Sequence, residues 1–247
     1  MRSQRQGSAA RRRTARPSTD GAGHPAGAER SDTAAATPAK PKMRGWLHAG
    51  MTPLIFLAIL ALIVHTASWS GRLAEAIYLV TALMLFGNSA IYHRGHWSPR
   101  ISGMLRRFDH SNIAIFIAGT YTPLAVLMLH GASRVTLLCI VWACAAVEVA
   151  CRNLWMGAPR ILYTGLYIAM GWAAVFWIPQ FWRAGGPGVV IWLIAGGLCY
   201  TVGAVVYAFK WPNPSPRWFG FHEIFHAFTV AAWACHCIAV YLAVLNS

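Results

Sequence analysis

Charge is what this chain has least of. Only 11% of its 247 residues are Asp, Glu, Lys or Arg, against about 25% in an ordinary soluble domain, which excludes a conventional water-soluble globule. Acids are scarcer still. Of the seven, three lie in the first 44 residues, leaving Glu75, Asp109, Glu148 and Glu223 for everything that follows. No acid follows Glu223, so an intramembrane protease that takes a third, acidic ligand from a later segment is disfavoured. No Cys-x-x-Cys pair occurs. The six cysteines (Cys139, Cys144, Cys151, Cys199, Cys235 and Cys237) lie in or at the ends of apolar segments and read as small, lipid-compatible side chains. Residues 1–44 almost entirely lack large apolar side chains and cannot bury a core, so they read as a disordered basic tail. The run Arg11-Arg12-Arg13 is not the start of a cleaved signal, because the next apolar stretch begins near residue 47 and is long enough to span.

What is present is apolar length. The composition is 57% hydrophobic, and seven runs approach the roughly 20 residues a spanning helix needs: 47–68, 73–93, 111–130, 134–152, 161–182, 187–209 and 219–244. The fold class is all-α, a seven-helix integral membrane bundle over residues 45–247. Trp46, Trp69, Trp155, Trp182, Trp211 and Trp218 fall near span ends, as an interfacial belt should. Ten of the 21 Lys and Arg sit in the tail. The excess of positive charge therefore points to anionic lipid headgroups at a membrane surface and not to nucleic acid. With the N-terminus inside, the inner loops hold Arg94, Arg100, Arg106, Arg107, Arg152, Arg160, Lys210 and Arg217, and the outer loops only Arg72, Arg134 and Arg183. This imbalance predicts a multi-pass plasma-membrane protein with a cytoplasmic N-terminus and an extracytoplasmic C-terminus.

On that topology two distant motifs come to one face. Ser89 and His93 lie one turn apart at the inward end of the second span. Asp109 stands at the first turn of the third span, and His222 and His226 share a face in the first two turns of the seventh. Three imidazoles with an open fourth position match catalytic zinc, which makes His93, His222 and His226 the candidate metal ligands. Asp109 would orient or deprotonate the attacking water, or accept a hydrogen bond from a ligand His. Ser89 is either its catalytic neighbour or a small packing residue. His222-Glu223-x-x-His226 also fits a metalloprotease pattern in which Glu223 is the base, a short motif with frequent chance matches. His236 lies about 15 Å beyond His226 along a helix and is too far to share its ion. His48, His65, His96 and His130 read as interfacial residues, and Glu75 and Glu148 as paired or solvent-facing.

These residues resemble the hemolysin III family, the bacterial branch of the progestin and adiponectin receptor superfamily. The matching pieces are Asn88-Ser89-Ala90-Ile91-Tyr92-His93, Asp109-His110-Ser111-Asn112 leading to Ala118-Gly119-Thr120-Tyr121-Thr122-Pro123, the Gly196–Ala204 run, and Phe219–His226. The resemblance spans roughly residues 45–245. It implies seven helices and a zinc ion (Zn2+) held near the cytoplasmic face by His93, His222 and His226, with Asp109 and Ser89 beside it. Glu223 is not part of the minimal superfamily pattern. The superfamily includes ceramidase-like enzymes, which implies hydrolysis of an amide in a membrane lipid. A lipid or fluidity sensor with structural zinc, and a cytolysin, are the alternatives.

Overall fold

In a computed structural model that describes residues 41–155 and 159–246, the chain is a bundle of α-helices. They are α1 (Trp46–His65), α2 (Trp69–Arg94), α3 (Pro99–Met128), α4 (Gly131–Leu154), α5 (Arg160–Gly171), α6 (Ile178–Phe209) and α7 (Phe221–Leu245), with a short 3-10 helix, Ala173–Trp177, between α5 and α6. No strand occurs among the described residues. Helices are what a bilayer demands, because each satisfies its own backbone polar groups away from water. Residues 1–40 of the expected tail lie outside the described residues. Residues 41–44 are described and form a turn leading into α1.

Six stretches are long and apolar enough to cross a membrane, one of them covering Ile161–Phe209. At 1.5 Å per residue its 49 residues would reach about 73 Å as one helix, more than twice a hydrocarbon core of about 30 Å. It folds back at Gly186, whose φ of 71° is left-handed and whose ψ of −174° breaks the helix. Trp172 donates its indole N–H to Thr201 Oγ1 at 3.0 Å, and these two residues are nearly equidistant in sequence from Gly186. That pairing is what an antiparallel hairpin gives, so the stretch makes two crossings and the bundle has seven.

The third span differs from expectation. Its helix begins at Pro99, twelve residues before the expected start, and the link after α2 shrinks to four residues. Proline with its preset φ suits a first helical turn, and the opening turns carry Arg100, Arg106 and Arg107 among exposed Ile101, Met104 and Phe108. Such an amphipathic entry is invisible to a search for unbroken apolarity. Asp109 therefore sits three turns into α3 rather than at its first turn.

The fifth crossing is irregular, and Tyr121 of α3 repairs it. The Tyr121 hydroxyl donates to the carbonyl of Gly171 at 2.6 Å and accepts the N–H of Ala174 at 3.0 Å, partnering backbone groups that the break between α5 and the 3-10 helix frees. Close approach of α6 to α7 falls at glycines. A Cβ on Gly203 would stand 2.8 Å from Cβ of Phe228, and one on Gly196 would collide with the ring of His236, whereas Gly171 has open space around it.

Candidate metal centre and cavity

The last turn of α2, the third turn of α3 and the first two turns of α7 meet at one end of the bundle. His222 Nε2 lies 3.1 Å from His93 Nε2. One ligating nitrogen each from His93, His222 and His226 falls within 4.8 Å of the others. Two nitrogens on one tetrahedral ion at about 2.1 Å would stand about 3.4 Å apart, so the three rings need little movement to share an ion. His222 and His226 are buried and His93 half-buried. An uncharged donor set, dry surroundings and near-ligand spacing fit a divalent transition metal.

Asp109 is buried, with Oδ2 3.7 Å from Nε2 of His93. That is the same nitrogen that faces His222. The carboxylate therefore looks into the space between the imidazoles, and does not back up His93 through its other ring nitrogen. Ser89 is buried one turn before His93, within hydrogen-bonding reach of the Asp109 carboxylate. The sequence-predicted residues His93, Asp109, Ser89, His222 and His226 are thus all assembled at one point.

Glu223 is not. Its Oε2 accepts the backbone N–H of Gly220 at 2.8 Å, capping the start of α7. Its Oε1 accepts the Arg44 guanidinium. Both oxygens are engaged, and Glu223 does not border the cavity described next. His236 lies apart from the triad, against Gly196 and the Leu193 carbonyl, where it lines the cavity.

His48 is the residue that sequence reasoning missed. It is buried, and its ring stacks on His226 with centroids 3.8 Å apart and planes 5° from parallel. Its other face meets Phe86 edge-on at 4.8 Å. No spacing motif marks a single histidine in an apolar helix. The available signal was depth, because the same topology count that gathers His93 and His222 puts residue 48 at their end.

From this polar end a partly open, mainly apolar cavity runs down the bundle. His48, Ser89, Asp109, His222 and His226 border it at one end, and Val175 and Ile178, beyond the break in the fifth crossing, at the other. Between them the walls are mainly apolar, with Ile113, Ile117, Leu124 and Ile168 among them. An elongated molecule with one reactive polar end and a hydrocarbon remainder matches this shape.

The haemolysin-III related family matches residues 36–237. Hemolysin-3 of Bacillus cereus is 31% identical over 191 residues, covering 75% of this chain and 84% of that protein. The Hemolysin-3 homolog of Bacillus subtilis (strain 168) is 30% identical over 190 residues, 74% of this chain and 85% of the relative. The adiponectin receptor protein of Drosophila melanogaster is 26% identical over 190 residues, 67% of this chain and 41% of the receptor.

Proposed function

This chain belongs to the haemolysin-III related family, and from that premise we propose that it is a zinc-dependent membrane hydrolase that cleaves an acyl amide of a membrane lipid. The observation that carries the reading is an imidazole triad, two of whose rings border a long apolar cavity together with the Asp109 carboxylate. His93, His222 and His226 would hold the ion, which when bound supplies Lewis acidity toward the carbonyl and toward water. The chain's own residues do the rest. The apolar walls align the acyl chain so that its carbonyl is presented at the triad. Asp109 Oδ2 faces the same space and takes the proton of the attacking water, then returns it to the departing amine. Ser89 holds that carboxylate in place, and the lipid-filled cavity keeps bulk water away.

Three protein nitrogens leave a coordination position for substrate, whereas a purely structural zinc takes four protein ligands. That favours the enzyme over the fluidity-sensor reading. The names of the relatives record haemolysis and adiponectin reception. A pore is disfavoured by the concentration of polar groups at one end of the cavity. By the loop charges, the metal end faces the cytoplasm, and reporter fusions at residue 247 check it by being silent inside the cell. The decisive experiment is release of fatty acid from a panel of lipid amides by purified protein in nanodiscs, with zinc content measured in parallel. Release that depends on metal and on Asp109 is expected, and zinc-loaded protein inert on the whole panel sinks the enzyme reading.

A further inference from the structure

His93 and His222 approach one another although their helices do not. The backbones of α2 and α7 nowhere come within 8 Å, and α1 packs against both. The two imidazoles therefore meet across a gap, and something must hold the ends of those helices in register. The segment just before α1 touches both. Lys42 N–H donates to the Arg217 carbonyl at 3.0 Å and Met43 N–H to the Trp218 carbonyl at 3.1 Å, while the Lys42 ammonium sits 4.3 Å over the Trp218 ring. These bonds tie the segment to the approach to α7. The next residue, Arg44, pairs with Glu223, whose side chain is 1% exposed. Gly45 then turns with φ of 78° so closely over the last turn of α2 that a Cβ on it would lie 2.8 Å from Cβ of His93. Trp46 lies beneath the Arg94 guanidinium at 3.4 Å.

We propose that Arg44 and Glu223 are positioning residues for the metal centre, and that Lys42–Gly45 is a strap setting the spacing of His222 from His93. The proposal rests on the reading of the histidine triad as a metal site. Glu223 lies between the two α7 histidines in sequence, one residue after His222. Its carboxylate fixes the first turn of that helix from two sides, the Gly220 N–H and the Arg44 guanidinium. A buried carboxylate that loses its cation is strongly disfavoured and pulls toward water. That shift moves His222, and metal sites tolerate only about 0.5 Å of it. The His-Glu-x-x-His pattern thus arises here with its glutamate facing away from the reactive space, as a helix cap and strap anchor.

The test uses full-length protein in nanodiscs, stripped of metal and titrated with cobalt(II), whose visible absorption reports ligand geometry. Arg44→Met and Glu223→Gln should weaken cobalt binding about 10–100-fold, as loss of outer-sphere partners does, and should alter the spectrum of the cobalt that remains. Arg44→Lys should restore most of both. Arg100→Met, at an exposed cation on α3, should change neither. Melting of the metal-free proteins separates positioning from folding. Wild-type affinity and spectrum in Arg44→Met and Glu223→Gln overturn the proposal. A lowered metal-free melting temperature with an unaltered cobalt spectrum also overturns it, leaving the pair a mere staple. A wild-type chain that takes up no cobalt fails the metal reading itself and the proposal with it, whereas normal uptake with indifferent variants fails the proposal alone.

Discussion

The two ends of the bundle both bury a carboxylate, and they use it differently. At the end where α1 passes into α2, Glu75 accepts the Thr66 hydroxyl at 2.6 Å across nine residues of sequence, while Arg72 Nε donates to the Thr66 carbonyl at 2.6 Å. Everything there belongs to one turn and staples two consecutive helices. About 27 Å away along α2, the polar contacts join residues 129 apart (His93 and His222) and 179 apart (Arg44 and Glu223). A local staple needs only its loop to form. A centre drawn from α1, α2, α3 and α7 exists only once the whole bundle has closed, and that cost in order supports the metal-dependent role proposed for it.

That contrast can be broken, beginning with the largest effect. Replacing two of the proposed ligands at once, His93→Ala/His226→Ala, should take bound zinc from about one per chain to none by elemental analysis of purified protein. Glu75→Gln at the other end should retain all of it. Equal metal content in the two variants would erase the distinction. Asp109→Asn keeps shape and removes charge, so metal should stay while amide hydrolysis falls by roughly the 10²–10⁴ typical of a lost general base. Thr66→Val strips Glu75 of a donor and should cost about 1–3 kcal/mol of stability, read as a lower melting temperature with zinc unchanged. Smallest of all, deleting residues 1–40 should alter neither melting nor metal. Deletion through residue 45 removes the strap and should reproduce Arg44→Met.

Much of this was legible in the chain because bilayer thickness imposes length on helices and short links make successive spans alternate in direction. Those two constraints bring His93, Asp109, His222 and His226 to one depth before any contact is known, and the i, i+4 spacing pairs the last two. What escaped was governed by other physics. The start of α3 was hidden because three amphipathic turns precede its apolar run. The fifth crossing read as a plain span, since nothing in its own residues shows that Tyr121 will complete a broken backbone. His48 carries no spacing partner, and its stack on His226 is a matter of tertiary packing. Glu223 fitted a metalloprotease motif with its flanking histidines, and its actual partners, the Gly220 N–H and Arg44 on the far side of the sequence, are set by tertiary packing.

Gly45 has one more consequence. It contributes no side chain to ion, cavity or cap, yet its left-handed backbone and the 2.8 Å clearance to His93 leave room for nothing larger than hydrogen. In a saturation mutagenesis screen scored on function, tolerance should collapse at position 45 as it does at the imidazoles, while Gly50, one helical turn into α1 with open space around it, accepts substitution. A map of intolerant positions would then outline the centre by its empty places as well as by its ligands.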